Sequence, residues 1–346
     1  MGKSIIDLSS VTAVGLDLAK LVFQVHCVDA SGRVVAARAV KRNKLLALFA
    51  SLPRCLVGLE ACGSAHHWAR ELIKLGHQVR IMPPAYVKPY VRRQKNDAAD
   101  AAAICEAATR PSMRFVAVRS VENQAALMRH KAREMLVGQR TQLLNGIRGH
   151  LAEIGVIAPQ GPRYARELAD RIEAGDEDIP LAVCEALAEL VRQLHRLDEA
   201  IDRCDRTIAK MAQKDETARR LMSIPGIGPV TASAMAATIQ DVSAFKGPRE
   251  FAAFLGLTPR QNSSGGKQKL GRISKMGNRY LRKLLVVGAH AVLYHRQPHA
   301  DALRTWAKKL IEKKPFKLVA VALANKMARI AFAILRGKTS YNAIAA

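Results

Sequence analysis

The sequence is poor in aromatic residues and cysteine, and it lacks a long apolar run. Aromatic residues make up 5% of the 346 residues, and the six cysteines include no CxxC pair. Zinc knuckles and disulfide frameworks need closely spaced or paired cysteines, so the sequence supports neither. No uninterrupted apolar run reaches the ~20 residues of a membrane span, and the N-terminus has no signal-peptide pattern. We therefore expect a globular protein of the cytoplasm.

Acidic residues are also scarce. The chain has 55 Lys and Arg against 29 Asp and Glu, a formal net charge of +26 that no single tail explains. Such a field attracts polyanions, with nucleic acid as the first expectation, an anionic membrane surface as the second, and a merely basic soluble protein as the third. No Asp or Glu occurs from Phe251 to Ala300, whereas nine Lys or Arg lie between Arg260 and Arg296.

Apolar periodicity in the first part of the chain predicts an α/β layout. The predicted elements follow the order βββαβαβα, with strands at 12–18, 22–28, 33–40, 55–59 and 77–82 and helices at 41–51 and 64–75. Three antiparallel strands followed by helix-crossed parallel strands place functional side chains at strand ends.

Two long helices are predicted in the middle of the chain. Residues 118–154 and 181–222 have helical periodicity and many charges. Between them, residues 159–180 contain prolines, glycines and acids, which indicates a connection or a small insertion. Helices of this length pair within one chain or across subunits of an oligomer, and the sequence leaves both arrangements open.

Four carboxylates form a candidate metal site. Asp97 and Asp100 leave one face of a predicted helix over residues 97–108, and a divalent cation would offset their repulsion. An ordinary first helical turn is the alternative, since Asp favours that position. Asp17 ends the first strand and Glu60 follows the fourth, so neighbouring strands one and four would bring all four acids to one sheet edge, where two metal ions could act on a phosphodiester. Read singly, Asp17 also fits a surface turn and Glu60 a helix start.

The second half contains a glycine-rich turn and a basic stretch. Residues 224–230, Ile-Pro-Gly-Ile-Gly-Pro-Val, resemble the turn of a helix-hairpin-helix element, whose backbone N–H groups bind phosphate; a plain interhelical turn is the alternative. A flexible, small-residue segment at 261–267 precedes a predicted basic helix that begins around Arg272 and Lys275. The residues expected to contact nucleic acid are Gly226, Gly228, Arg260, Lys267, Lys269, Arg272, Lys275, Asn278, Arg279 and Arg282.

The motifs occur in the order of a known family. Residues 15–20 read Gly-Leu-Asp-Leu-Ala-Lys, residues 60–63 Glu-Ala-Cys-Gly, and residues 95–101 Lys-Asn-Asp-Ala-Ala-Asp-Ala. Together with residues 224–228 and motifs at 256–259, 264–266, 271–275 and 277–282, they resemble the DEDD transposases of insertion-sequence family one hundred and ten, relatives of the pilin-gene invertase. The resemblance extends over roughly residues 11–300, and the version at 60–68 looks like the subgroup with subterminal inverted repeats.

This resemblance implies an α/β plus α architecture in three parts. A RuvC-like, RNase H-type domain with a mixed sheet would occupy residues 1–117, a helical coiled-coil spacer residues 118–220, and a mainly helical C-terminal transposase domain with a helix-hairpin-helix-like element residues 221–346. The family further implies Mg²⁺ at Asp17, Glu60, Asp97 and Asp100. It also implies a structured noncoding guide (bridge) RNA that pairs with donor and target DNA, and a tetramer of two dimers at the prokaryotic nucleoid.

By the same resemblance, a serine attacks a DNA phosphate and forms a covalent phosphoserine intermediate. Ser264 fits the family's position best, with Ser263 and Ser274 as alternatives. No histidine stands nearby in sequence, so metal held by the acids of the other domain is the expected activator. Two other functions stay open: a RuvC-like nuclease that hydrolyses branched DNA, and a nucleic-acid-binding protein whose acids are catalytically inactive. His66 and His67 are interpreted as packing or phosphate-contacting residues rather than metal ligands.

Overall fold

The computed structural model describes residues 7–91, 96–159, 161–294 and 302–342. The chain divides into two compact units, Met1–Ser120 and Val121–Ala346. Each unit has its own hydrophobic core, and each is described by itself below.

A five-stranded mixed sheet forms the centre of the first unit. Its strands are β1 (Ala13–Asp17), β2 (Val22–Val28), β3 (Val34–Lys41), β4 (Leu56–Glu60) and β5 (Gln78–Met82), in the order β3-β2-β1-β4-β5. β1 pairs antiparallel with β2 and β2 with β3, whereas β4 runs parallel to both β1 and β5. The predicted mixed sheet, including the neighbourhood of strands one and four, is confirmed, and this layout fits a RuvC-like domain.

Among the described residues of the first unit, the sheet is accompanied by the α-helices α1 (Leu45–Ala50), α2 (Ala65–Lys74), α3 (Pro84–Val87) and α4 (Asp97–Thr109). α4 contacts β1, β2 and β4 and buries alanines together with Ile104 and Cys105 against them. Burial among apolar neighbours raises the pKa of the Cys27 thiol to about 11 and those of Cys55 and Cys105 to about 12. These thiols are inert core residues because their reactive thiolate form is suppressed.

The described part of the second unit is mainly helical. Its helices are α5 (Val121–Glu153), α6 (Pro162–Ala174), α7 (Leu181–Lys214), α8 (Glu216–Met222), α9 (Pro229–Thr238), α10 (Pro248–Phe254), α11 (Arg279–Tyr294), α12 (Ala302–Ile311) and α13 (Phe316–Gly337). A two-stranded hairpin of β6 (Pro259–Gln261) and β7 (Leu270–Ile273) interrupts them.

The two long helices pair within one chain. α5 and α7 pack against each other, and α7 buries Leu187, Val191 and Leu194 at heptad-like spacing. Ion pairs fix an antiparallel register, since Arg140 near the middle of α5 contacts Asp198 at 3.0 Å and Arg133 forms a bidentate pair with Asp205. The intrachain alternative is therefore present in the structure.

The segment 159–180 contains the 13-residue helix α6, capped by Gly175 in the left-handed region, so it fits the predicted small insertion rather than a plain connection. One predicted helix in this region was wrong in its extent. The predicted helix over 181–222 is interrupted at Asp215, whose backbone is extended and whose side chain accepts a hydrogen bond from the Ala218 N–H at 3.0 Å. A new helix, α8, begins there because an N-cap aspartate both ends one helix and starts the next.

α13 is the core helix of the second unit. By length and composition alone it is apolar enough to cross a membrane, yet half of its most apolar window is buried inside the fold. Leu323, Met327 and Ala331 are fully covered by neighbouring helices. Its apolarity is accounted for by this packing.

His130 is buried in the second unit between two hydroxyl groups. Its Nδ1 lies 3.2 Å from Oη of Tyr280, and its Nε2 lies 3.2 Å from Oγ of Ser233. Burial, reinforced by the positive charge of Arg133, lowers the pKa of His130 to about 4. Because this value lies below the ordinary 6.5, the unfolded chain takes up the proton first as the pH falls. The neutral imidazole thus contributes stability that is fully present above about pH 6.5. This stability is lost as the pH falls from there toward the pKa of His130 in the folded protein.

Because of this imidazole, we expect the free energy of unfolding to fall by about 2 kcal/mol when the pH is lowered from about 7.5 to about 5. His130→Gln should lower stability at neutral pH but flatten this part of the pH profile, as measured by urea unfolding at several pH values. The control is His150→Gln, which removes an exposed imidazole of the same helix. Equal slopes in wild type and His130→Gln would contradict the assignment.

Candidate functional site

Three carboxylates converge at one edge of the first unit's sheet. Asp17, Asp97 and Asp100 each offer a ligand oxygen, and these atoms all lie within 4.8 Å of one another. Asp17 ends β1, while Asp97 and Asp100 occupy the first turn of α4. Asp97 is exposed and the other two are half-buried. We call these three residues the acid cluster.

The first turn of α4 is capped by a different residue. The Asn96 side chain accepts a hydrogen bond from the Ala99 N–H at 2.7 Å. Because Asn96 fills the capping role, neither Asp97 nor Asp100 serves as the N-cap of this helix. Lys95, which opens this motif, lies outside the described residues.

Glu60 stands beside the acid cluster but not within it. It is the last residue of β4, and β4 pairs with β1 so that Leu59 lies opposite Leu16. Continuing this register places Glu60 next to Asp17 on the same face of the sheet. Its carboxylate is not among the three that share the 4.8 Å limit. The structure therefore brings three of the four predicted acids together and leaves the fourth adjacent.

The position of α4 depends on a close approach to two glycines of the sheet. A Cβ at Gly15 would lie 2.0 Å from the Ala101 carbonyl oxygen and 2.5 Å from the Cys105 nitrogen. A Cβ at Gly58 would lie 2.6 Å from the Ala108 Cβ. Only glycine allows the helix backbone to come this near, and this proximity brings Asp97 and Asp100 to the end of β1. Sequence reasoning did not assign this role, although a glycine two residues before Asp17 in a strand is the signal that indicates it.

The donor set of the acid cluster fits a hard divalent cation. Three carboxylate side chains supply only oxygen ligands, and Mg²⁺ in proteins takes a few carboxylates while keeping waters or phosphate oxygens. The cluster includes no thiolate or imidazole, which zinc sites commonly contain. Asp17, Asp97 and Asp100 are the residues that would hold the ion.

In the second unit, Ser264 lies at the turn of the exposed β6–β7 hairpin. The turn is closed by the Lys267 N–H, which donates to the Ser264 carbonyl at 3.1 Å, and Gly265 and Gly266 both have positive φ (55° and 76°). L-residues with side chains are disfavoured at both positions. Space around both glycines is open, since an added Cβ would meet nothing within 4 Å. The predicted flexible segment is thus an ordered hairpin turn.

The neighbouring serines differ from Ser264 in their hydrogen bonds. Ser263 Oγ accepts from the Lys269 N–H and from the Gln261 side chain, each at 3.1 Å. The Ser264 hydroxyl makes no hydrogen bond to any residue in the described ranges 7–91, 96–159, 161–294 and 302–342. Ser274 carbonyl oxygen accepts from Arg260 at 3.3 Å, and its hydroxyl accepts from the Met276 N–H at 3.5 Å.

The predicted basic helix begins later than the sequence suggested. Arg272 lies on β7, and Lys275 occupies a loop with a φ of 56°, so α11 starts only at Arg279. The helix starts this late because Gly277 also has positive φ and Asn278 caps α11, its side chain accepting from the Leu281 N–H at 3.0 Å.

The residues expected to contact nucleic acid fall into two groups. Exposed side chains on or beside the hairpin and at the start of α11 are Arg260, Lys267, Lys269, Arg272, Lys275 and Arg279. Arg282 instead has a role within the fold, because its Nη1 donates to the carbonyls of Leu255 and Met276, each at 2.8 Å. This burial, together with Arg279, lowers the pKa of the Arg282 guanidinium.

The glycine-rich turn between α8 and α9 also divides into two roles. Gly226 has a φ of 85°, and a Cβ there would lie 2.7 Å from the Gly288 carbonyl oxygen, so this glycine serves helix packing. Gly228 is exposed, precedes the first turn of α9, and has open space around it. Of the two, only Gly228 leaves room for an approaching group.

Comparison with known proteins identifies the family. Residues 14–156 match the DEDD-type IS110 transposase family, and residues 218–304 match the family described as Transposase IS116/IS110/IS902. A probable family 20 transposase of Pseudomonas aeruginosa is 48% identical over 334 residues, covering 96% of this chain and 99% of the relative. The chain belongs to the IS110 family of DEDD transposases.

Two further relatives differ in how much of this transposase they match. The transposase for insertion sequence element IS1111A of Coxiella burnetii is 40% identical over 336 residues, covering 97% of this chain and 92% of the relative. A pilin gene-inverting protein of Moraxella bovis is 32% identical over 118 residues, which is 34% of this chain and 36% of the relative. The transposase is therefore an enzyme that cuts and rejoins DNA, and its acid cluster lies inside the matched DEDD region.

Filling the space at Gly15 should displace α4. Gly15→Ala is expected to destabilise the first unit by about 1 to 3 kcal/mol, because the added methyl meets backbone atoms that have no room to move aside. The control Gly63→Ala meets nothing within 4 Å and should be close to neutral. Thermal unfolding measures the difference, and a neutral Gly15→Ala would show that the close approach is not needed.

Mg²⁺ should stabilise the folded transposase through the acid cluster. At a hundredfold excess over the dissociation constant, a ligand specific for the folded state adds about 2.7 kcal/mol. We expect Mg²⁺ to raise the unfolding temperature of wild type, and Asp97→Asn or Asp100→Asn to remove most of this rise. Glu106→Gln, which removes an exposed carboxylate of the same helix, is the control. A rise that persists in both Asp variants would place the ion elsewhere.

Proposed function

We propose that this transposase is a site-specific recombinase that cuts and rejoins the DNA of an insertion sequence through a phosphoserine intermediate at Ser264, with Mg²⁺ held by the acid cluster. The observation that carries the proposal is the convergence of Asp17, Asp97 and Asp100 within 4.8 Å in a chain of a DNA transposase family. Glu60, adjacent on β4, completes the four acids of the proposed metal-binding set.

In the proposed reaction, Ser264 Oγ attacks a DNA phosphorus. The new Oγ–P bond replaces one P–O bond of the phosphodiester, the Oγ proton is lost, and the departing DNA hydroxyl takes up a proton. Rejoining reverses these bond changes with a second DNA strand. When bound, the metal would lower the barrier by stabilising negative charge on the phosphate and departing oxygen.

The geometry of the hairpin favours Ser264 over its neighbours. Ser263 holds the hairpin together through its hydroxyl, whereas Ser264 points from a turn where Gly265 and Gly266 leave space for a phosphate. Lys267 and Lys269 are exposed on the same hairpin and would neutralise the extra charge of the transition state.

The remaining basic residues supply sequence-independent affinity. Arg260, Arg272, Lys275 and Arg279 would contact phosphates, and Gly228 would offer the start of α9 in a helix-hairpin-helix-like element. Gly226, Asn278 and Arg282 contact other residues of the protein. Their proposed contribution is to hold the DNA-contacting residues in place.

A guide RNA and a tetramer complete the proposal. We propose that a noncoding RNA of the element pairs with donor and target DNA, so that base pairing selects the sequence while the protein binds backbone and shape. The active assembly would be a tetramer of two dimers, working on the nucleoid in the cytoplasm.

One alternative function has an observation in its favour. The acid cluster and Ser264 belong to different units, so the first unit contains a complete set of carboxylates of its own. A RuvC-like nuclease would use that set to hydrolyse branched DNA with activated water and would leave no covalent intermediate.

The covalent intermediate distinguishes the two. Wild type assembled with the element's noncoding RNA, Mg²⁺ and labelled junction DNA should retain label in denaturing detergent. Ser264→Ala should lower retained label by roughly 10³-fold or more, as loss of a nucleophile does, and Asp100→Asn should abolish cleavage.

Ser263→Ala is the matched control and should still form the adduct, with a loss limited to loosening of the hairpin. Cut DNA without retained label in wild type would favour the hydrolytic nuclease. Adduct formation by Ser264→Ala but not by Ser263→Ala would move the nucleophile to Ser263.

A further inference from the structure

An open groove lies at the edge of the first unit's sheet, away from the acids themselves. Its volume is about 700 Å³, within the range of small-ligand sites. It is lined by Leu21, Val22, Lys41, Arg42, Asn43 and Trp68. Leu21, which precedes β2, is 75% exposed and offers an apolar side chain to the groove. Two cations and no acid line the groove, so its charge suits an anionic ligand.

Arg42 and Trp68, which line the groove, both contact the buried Phe23 ring beneath it. The Arg42 guanidinium lies 5.0 Å from the centroid of the Trp68 ring and 5.7 Å from that of Phe23. Phe23 and Trp68 meet edge to face, with ring centroids 5.1 Å apart. Trp68 is only 5% exposed, whereas Arg42 is exposed. The buried indole therefore supports a guanidinium plane at the surface.

Two further contacts fix Arg42 in this position. Its Nη1 donates to the Lys20 carbonyl at 3.3 Å, and its backbone N–H donates to the Leu21 carbonyl at 2.8 Å. The indole Nε1 beneath it is buried without a hydrogen-bond partner among the residues that the structure describes. Leaving a buried donor unpaired costs about 1 to 3 kcal/mol, so the ring is held here by stacking rather than by its polar atom.

We propose that Arg42, supported by Trp68, is a stacking platform for an unpaired base of single-stranded DNA, with Leu21 and Val22 as the apolar wall and Lys41 at the adjoining phosphate. Unstacked bases bind to aromatic rings and to arginine planes, and neighbouring cations bind the backbone. The platform offers a planar cation, an apolar side and a second positive charge within one groove.

The sheet places this platform and the acid cluster at the same end of the strands but on opposite faces. Asp17 closes β1 and Val22 opens β2, two elements joined by a short turn, while Val22 pairs with Lys41 at the end of β3. With neighbouring strands about 4.8 Å apart, the ends of β1 and β3 lie roughly 10 Å apart across the sheet. Asp17 pairs with Gln24, whereas Phe23 beneath Arg42 points to the other face, so a strand whose phosphate lies at the acid cluster would pass round this end of the sheet to reach the platform. The choice of DNA rests on the proposed function, whereas the stacking chemistry does not.

The test uses Trp68 as its own reporter. The chain contains two tryptophans, so Trp306→Phe in the full-length protein leaves Trp68 as the only one. A short oligothymidylate is titrated without Mg²⁺, with Trp68 emission reporting occupancy and the anisotropy of a labelled oligonucleotide reporting affinity. We expect a saturable change of Trp68 emission.

Arg42→Gln and Arg42→Lys should each weaken this binding by about tenfold and remove the emission change, because a lysine keeps the charge but not the plane. Arg38→Gln removes another exposed arginine, on β3, and is the matched control, expected to change affinity by about twofold or less. Unfolding temperatures of all variants verify folding.

Equal weakening by Arg42→Gln and Arg38→Gln, or full binding by Arg42→Lys, would overturn the platform and leave only a general charge effect. Tighter binding of oligouridylate than of oligothymidylate would overturn the choice of DNA and assign the groove to RNA. Asp100→Asn should abolish cleavage but keep the emission change, so failure of the proposed catalysis and failure of the platform give different results.

Discussion

The packing of one alanine-rich helix on two glycines determines whether the acid cluster exists. α4 approaches β1 and β4 so closely that a methyl group at Gly15 would overlap the Ala101 carbonyl. Because Asp97 and Asp100 occupy the first turn of that helix, a shift of the helix would separate them from Asp17. The large positive charge of the chain favours DNA binding in general, whereas this contact brings three carboxylates together at one point.

In the second unit, a packed helical core supports an exposed hairpin. Its core is built from paired helices, with α13 buried at the centre and charge pairs fixing α5 against α7. The hairpin that carries Ser264 projects from this core with nearly every side chain exposed. The Arg282 side chain ties α11 to the segments on both sides of the hairpin, since it donates to the carbonyls of Leu255 and Met276. A reactive group on an exposed turn of a rigid support is an arrangement suited to reaching a large ligand such as DNA.

Sequence patterns predicted the sheet and the acid pair because both depend on local rules. Short apolar segments and the turn at residues 29–32 specified β1 to β3, and the i, i+3 spacing of Asp97 and Asp100 specified their common face. Such local rules do not predict contacts between residues that are far apart in the sequence. Gly226 resembled a phosphate-binding glycine but packs against Gly288, sixty-two residues later in the chain. Arg282 resembled a DNA-contacting residue, but its side chain donates to two backbone carbonyls. The stacking of Arg42 on Trp68 likewise joins a strand end to a distant helix, and no spacing in the sequence marks it.

The central claim is that Asp17, Asp97 and Asp100 hold a divalent cation for work on DNA. Crystals of the transposase grown with DNA and Mn²⁺, a stand-in for Mg²⁺ with strong anomalous scattering, test it most directly. The account predicts an anomalous peak coordinated by oxygens of these three carboxylates, with Glu60 close enough to contact the ion or its water. A well-ordered acid cluster without a peak, or a peak elsewhere in the DNA complex, would contradict it.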